Sequence, residues 1–408
     1  MTEQYKTSME LHEATMANLD QTSQNLTEVV EPIEYTNKTK TIRTKLLDLE
    51  SELQSILVHR TEEIRGITLA MLSRHHVLLL GPPGTAKTKM VSQFSKGCGL
   101  TFYRRLLNQF TTPDEVFGPV DLKAYKDEGV YRRILKGKAA DTQMVYLDEV
   151  FKAGPTILNT LLGLMEEREY DNDGTVVETP LQTLVGTSNE LPNNEDNLGA
   201  FYDRFMLRYV TPYLEDEADF RAMLRGSNTK VTPTLTQEEL TWAQDEIASM
   251  DISQATYDSV TVLWETIKLE LEIYPSDRRF VQMLQIMAAD SWMQGYTEVM
   301  PSSVKVAQHI LWNTPEQIKD VKRLVISSVN PGEIKAQEIV EAAKIDYDIV
   351  MATETIAIED VSVRQQIEEM IETIGNLGPG LDAHKAKLRS MVADIQVKIE
   401  SNRPIRGG

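Results

Sequence analysis

Short strand-like runs separated by helical patterns organise the first half of the chain. The runs are 77–80, 101–106, 144–147 and 183–187, bounded by glycine or polar residues. Runs of four to six residues with such flanks predict buried strands. Their alternation with helical spacing over 77–213 predicts a parallel sheet wrapped by helices. Upstream, Ile42, Leu46, Leu49, Leu53 and Leu57 predict one helix, and Ile64, Ile67, Met71 and Leu72 a second. Two stretches interrupt the rhythm. Residues 113–135 predict an excursion with a hairpin turned at Lys126-Asp127-Glu128-Gly129, and 168–179 a second hairpin turned at Asn172-Asp173-Gly174.

After Tyr213 the pattern is helical. Helices are expected over 236–250, 254–273, 277–294 and 301–312, a compact all-α unit behind a polar linker at 226–234. Asn330-Pro331-Gly332 breaks the chain again. Beyond it, Ile367, Met370, Ile371 and Ile374, then Leu388, Met391, Val392, Ile395 and Ile399, predict an antiparallel helical hairpin turned at 375–380. The organisation expected is an acidic, poorly ordered arm at 1–36, an α/β core at 37–228, an all-α lid at 229–328 and a helical hairpin extension at 329–408.

Candidate chemistry sits at the ends of the apolar runs. The first empties into Gly81-Pro82-Pro83-Gly84-Thr85-Ala86-Lys87-Thr88. A strand followed by a glycine-rich turn and a helix presents backbone N–H groups and the positive helix end to an anion. Lys87 would reach the β/γ-phosphates, and Thr88 would offer its hydroxyl to Mg²⁺. Ala86 stands where GxxxxGK[ST] has its second glycine. The alternative is an ordinary turn carrying a solvated lysine. The third run, Met144-Val145-Tyr146-Leu147, ends in Asp148-Glu149. A carboxylate there lies beside the phosphate loop, where Asp148 can hold the Mg²⁺ shell and Glu149 can polarise water. The two features together point to nucleotide hydrolysis.

Three further positions refine this. Asn189, after the fourth run, can orient the attacking water, or it caps a turn. Arg204, in Leu198–Phe205, can project into an adjacent subunit's site, or it pairs with Asp203 or a neighbouring acid. Arg278, in Ser276-Asp277-Arg278-Arg279 at a helix start, can read the γ-phosphate.

Composition narrows the partners. The 408 residues carry a formal net charge of −20, which disfavours nucleic acid as the main partner. No run approaches the ~18 apolar residues of a membrane span. The polar N-terminus lacks the pattern of a secretory signal. One cysteine, Cys98, allows no internal disulfide, and a reducing cytoplasm is expected.

The chain resembles AAA+ ATPases of the MoxR family, and within it the regulatory ATPase variant A (RavA) subgroup. The strings that carry the resemblance are LLLGPPGTAKT, QFTTPDEVFGPV, MVYLDEVFKAGPTILNTLLGLMEEREY, GTSNELP, LGAFYDRF, YPSDRRF and HILW, spread over roughly 39–315. The resemblance implies a hexameric ring with ATP and Mg²⁺ bound between subunits. It assigns Gly81 to Thr88 to Walker A, and Asp148 and Glu149 to Walker B. Asn189 becomes sensor 1, Arg204 the arginine finger and Arg278 sensor 2, with Arg208 and Arg279 as alternatives for the last two. It places 113–135 and 168–179 at the pore face and His59–Ile64 near the purine. It further implies a chaperone-like remodeller acting on a protein client with a von Willebrand factor A domain partner. A nucleotide-gated assembly scaffold is the alternative function, and a DNA motor is disfavoured by charge. Relatives carry a small β-rich domain after the lid, and because residues 329–408 read as helical that domain is expected to be missing.

Overall fold

The computed structural model describes residues 36–191, 198–226, 231–232, 234–329, 331–352, 358–375 and 381–401. The expected acidic arm therefore lies outside the described residues, apart from Thr36, as does the expected turn at 375–380, apart from Gly375.

The described chain forms two compact units. The first holds the described residues up to Val260 together with Ile273–Ile318, and the second Thr261–Glu272 and the described residues from Lys319 to Ser401. In the first, helices α1 (Asn37–Ile56) and α2 (Thr61–Leu72) lead to strand β1 (His76–Leu80). Ile42, Leu46, Leu49 and Leu53 are buried, as their spacing predicts. Helix α3 (Lys87–Gly97), β2 (Phe102–Leu106), the short helices α4 (Pro113–Phe117) and α5 (Leu122–Glu128), and β3 (Met144–Asp148) follow. Then come α6 (Pro155–Glu166), β4 (Glu169–Asp171), β5 (Val176–Glu178), β6 (Thr183–Ser188), α7 (Gly199–Asp203) and β7 (Phe205–Val210). The central sheet has the order β2-β3-β6-β1-β7, and every pairing in it is parallel. Strands buried on both faces need apolar side chains throughout, and β1 is buried at all five positions.

The first unit continues through α8 (Glu217–Arg225), α9 (Gln237–Ala248), β8 (Asp251–Ile252), the start of α10 (Gln254–Leu271), α11 (Asp277–Gln294) and β9 (Glu298–Val299). Strands β8 and β9 form a two-residue parallel pair among these helices. The expected helix at 301–312 is a 3₁₀ run over Pro301–His309.

One expected hairpin is present and the other is not. Strands β4 and β5 pair antiparallel, with Asp173 and Gly174 both at positive φ in the turn. Residues 113–135 instead hold α4 and α5, closed by a single antiparallel bridge between Val120 and Arg133. The reason is local. The Asp121 side chain accepts the N–H groups of Lys123 and Ala124, and Gly129 ends the helix at φ +72°, so the supposed turn is a capped helix.

The second unit also departs from expectation. It holds α12 (Ile318–Val329), then α13 (Pro331–Ala352), α14 (Ile358–Gly375) and α15 (Asp382–Ser401). The last three pack mutually around Ala336, Val340, Ile367, Ile374, Leu388 and Ile395, so the expected hairpin is a three-helix cluster. No helix among the described residues is long and apolar enough to cross a membrane.

Candidate functional site

The C-terminal edge of the sheet gathers most of the predicted residues. Gly81 leaves β1 at φ +148°, where a Cβ would stand 2.4 Å from the Thr211 carbonyl oxygen. Pro82, Pro83, Gly84 (φ +85°) and Thr85 carry the turn to Ala86, at φ +65°, and helix α3 begins at Lys87. A non-glycine residue in the left-handed region costs about 1–2 kcal/mol. Ala86→Gly is therefore expected to stabilise the protein by about 1 kcal/mol, read from the urea midpoint.

The Lys87 Nζ donates to the carbonyls of Gly81 (2.6 Å) and Pro82 (2.8 Å). Burial lowers its pKa from the ordinary lysine value, and the nearby Asp148 and Glu149 act in the opposite sense. Arg60 ties the start of α2 to the same loop. Its Nη2 donates to the Pro212 carbonyl (2.7 Å) and its Nε reaches that of Thr85 (3.4 Å). Arg60 lies inside the segment expected near the purine, yet nothing in its spacing marks it as the tether.

Strands β3 and β6 bring the acidic and amide groups to this edge. Asp148, last in β3, accepts a hydrogen bond from the Thr187 hydroxyl. The Thr88 hydroxyl lies 2.9 Å from that of the buried Tyr146. Glu149 is left-handed at φ +54°, a conformation that sets its carboxylate apart from the run before it. Its Oε1 accepts from Asn189 Nδ2 at 2.6 Å. Its Oε2 is buried without a hydrogen bond, with Lys152 Nζ 3.1 Å away. In the strand order β6 lies between β3 and β1, which places Asn189 between the two loops. Positive loop, hydroxyl, carboxylates and amide together form a donor set suited to a Mg²⁺-bound polyphosphate.

Arg204 and Arg278 are not there. Phe205 pairs with His76, so Arg204 sits at the opposite, N-terminal edge. A five-residue strand separates the edges by about 13 Å. Arg204 donates to Glu166 and to the Ala200 carbonyl (3.1 Å) rather than to Asp203. Arg278 joins it, with Nη1 on Glu166 (2.8 Å) and Nη2 on Asp203 (2.7 Å). The alternatives are interior. Arg208 is 1% exposed, donates to the Trp312 carbonyl (2.6 Å) and stacks on Tyr202, and burial pushes its pKa down to about 9. Arg279 is likewise buried, on Asp203 and the Ile310 carbonyl. Beside Arg204 and Arg278 opens a cavity of about 630 Å³, lined also by Arg74, Arg168 and Val281.

Residues 44–252 match the model of the MoxR domain in the MoxR-vWA-beta-propeller ternary systems, and residues 255–325 match that of an AAA lid domain. The chain belongs to the MoxR family of AAA+ ATPases. An uncharacterised protein of Methanocaldococcus jannaschii is 32% identical over 277 residues, covering 67% of this chain and 73% of its own. Chaperone MoxR1 of Mycobacterium tuberculosis is 29% identical over 54% of this MoxR chain and 59% of its own. A crystal structure described as a candidate ATPase of Cytophaga hutchinsonii superposes with a TM-score of 0.59 at 20% identity, over 72% of this chain and 96% of that one, a likeness of fold.

Proposed function

We propose that this MoxR chain hydrolyses ATP in a ring, completing each site with groups from two subunits, and uses the cycle to remodel a protein complex. The observation that carries the proposal is the division of charged groups between opposite sheet edges. Lys87, Asp148, Glu149 and Asn189 stand at one edge, and Arg204 with Arg278 at the other. One subunit cannot bring both sets to one phosphate. A head-to-tail neighbour can, and repetition of that contact closes a ring, for which a hexamer is the proposed size.

At the loop, Gly84, Thr85 and Ala86 present N–H groups to the phosphates, since Pro82 and Pro83 have none and the Gly81 N–H is held by the Ser188 carbonyl, and Lys87 adds a point charge. Thr88 and Asp148 are placed to hold Mg²⁺, which when bound offsets the charge of the β- and γ-oxygens. Glu149 accepts a proton from the attacking water, while Asn189 holds its Oε1 and so fixes the carboxylate's direction. Arg204 and Arg278 of the adjacent subunit offset the charge that grows on the transferred phosphoryl group.

The kinship with a protein named as a chaperone supports the remodelling role. The name of the matching family model supports a partner with a von Willebrand factor A domain. The RavA-like strings remain the basis for placing the chain in that subgroup. The single buried Cys98 suits action in the cytoplasm.

The test is ATP hydrolysis per subunit across protein concentration, for the wild type and Arg204→Ala. Specific activity is expected to climb with concentration, and the variant to assemble yet lose turnover by about 10³-fold. Flat activity with a neutral Arg204→Ala would mean each subunit hydrolyses alone. The nucleotide-gated scaffold would then be the better reading.

A further inference from the structure

Arg168 has no carboxylate partner among the described residues, although it is half-buried and lines the arginine-edge cavity. It follows α6 in the left-handed region, at φ +59°. Its carbonyl accepts from both the N–H (2.7 Å) and the hydroxyl (3.0 Å) of Thr179, which fixes the backbone there. Its Nη2 donates to the Arg74 carbonyl. Its Nη1 lies 2.9 Å from His76 Nε2, a contact that is a hydrogen bond only in the tautomer with a bare Nε2. His76 Nδ1 accepts the Leu184 N–H at 3.0 Å, so the ring proton is on Nε2, which donates to the Met165 carbonyl at 2.9 Å. An imidazole N–H cannot also accept from a guanidinium. His76 is therefore no acceptor for Nη1.

The surroundings sharpen the imbalance. Four guanidiniums line this cavity, those of Arg74, Arg168, Arg204 and Arg278, and Glu166 is its one carboxylate. Glu166 is already shared by Arg204 and Arg278. Burial, with Arg74 adding to it, pushes the pKa of Arg168 down to about 10, so it stays charged at neutral pH. A half-buried cation set among other cations is stable when an anion completes the site, and a guanidinium's fork of donors suits phosphate oxygens.

We propose that Arg168 is a third guanidinium of the trans site, contacting the polyphosphate of the nucleotide held by the neighbouring subunit. This rests on the two-subunit site proposed above and adds to it a residue that the sequence motifs do not mark. Arg204 and Arg278 are drawn together by Glu166, whereas Arg168 reaches the same cavity from the base of the β4–β5 hairpin. The phosphate charge is thereby met from three separate chain segments.

Subunit mixing with full-length chains tests this. Arg168→Ala alone is expected to lose turnover by about tenfold or more, as for removal of one preorganised donor to developing charge. Glu149→Gln alone is inactive but keeps its arginines. When the two are mixed 1:1, an Arg168→Ala subunit whose arginine-donating neighbour is Glu149→Gln has a complete site. Random mixing makes about one interface in four complete, so recovery to about a quarter of wild-type activity is expected. A residue that only supports its own subunit would not be rescued by a neighbour.

Undiminished activity of Arg168→Ala, or a loss that mixing does not restore, overturns the assignment. The same mixture made with Arg204→Ala separates the two readings. If Arg204→Ala is restored and Arg168→Ala is not, only the role of Arg168 falls. If neither is restored, the two-subunit site falls with it. Should Arg168→Ala fail to fold, Arg168→Lys takes its place, since an ammonium lacks the planar fork by which one guanidinium nitrogen holds the Arg74 carbonyl while the other is presented to a phosphate. The same loss and rescue are expected of it.

Discussion

Glu149→Gln is expected to lower steady-state phosphate release by about 10²–10⁴-fold, the usual contribution of a positioned general base, while ATP remains bound. The amide keeps the size of the side chain and one oxygen for Asn189, but it cannot take a proton from water. Lys87, Thr88 and Asp148 are untouched, so equilibrium binding of a fluorescent ATP analogue should stay within about threefold of wild type, under 1 kcal/mol. Turnover near the wild-type rate would place the base elsewhere. Loss of nucleotide binding together with turnover would mean that Glu149 shapes the loop rather than the water.

The largest stability effect is expected at Asp203, which no catalytic argument singles out. Its carboxylate holds Arg278 and the buried Arg279, each at 2.7 Å. Asp203→Ala leaves the Arg279 guanidinium in the interior with only carbonyl partners. Breaking a buried pair costs about 3–5 kcal/mol, and about 2–3 is expected here because Asp203 is itself partly exposed. Urea denaturation followed by circular dichroism checks it, and a loss below about 1 kcal/mol would show the pair to be weak. The pH dependence follows from the same contacts. Burial alone would raise the Asp203 carboxyl, but Arg279 and then Arg278 hold it below the ordinary carboxylate value. A group whose folded pKa is depressed contributes fully above its unfolded value of about 3.9 and loses the contribution as pH falls through the folded value. Asp203→Asn should therefore lose less stability than the wild type on acidification from pH 7 to about pH 3.

The sequence was most legible where a local rule and the tertiary role agree. Strands β1, β3 and β6 are buried on both faces and read as apolar runs, and the residues that close them, Gly81, Asp148 and Ser188, stand at the edge where the loops converge. Strand β7 escaped because Arg208 interrupts its apolar run. That charge is tolerated by the carbonyls of Phe205, Tyr202 and Trp312 and by the Tyr202 ring, and Trp312 comes from distant chain. Helix α5 was read as a hairpin turn, although Asp121 and Gly129 are the start and stop of a helix eight residues apart. Likewise Pro331 was read as a breaker, whereas proline at the first position opens α13. The Glu166, Asp203, Arg204 and Arg278 cluster was half legible. Motif order supplies the two arginines, but what they touch is set by segments 38 to 112 residues away.

The turn between β4 and β5 has a practical side. The Asn172 side chain accepts the Arg133 N–H (2.7 Å) and donates to the Arg133 carbonyl (3.1 Å), copying a strand partner. The Asp173 carboxylate takes the Tyr131 N–H at 2.6 Å. Two surface excursions far apart in sequence are thus riveted into one plate. A dye or affinity tag inserted at Asn172–Gly174 would pull the rivets, whereas Asp127, exposed on α5, offers an attachment point on the same plate that leaves them in place.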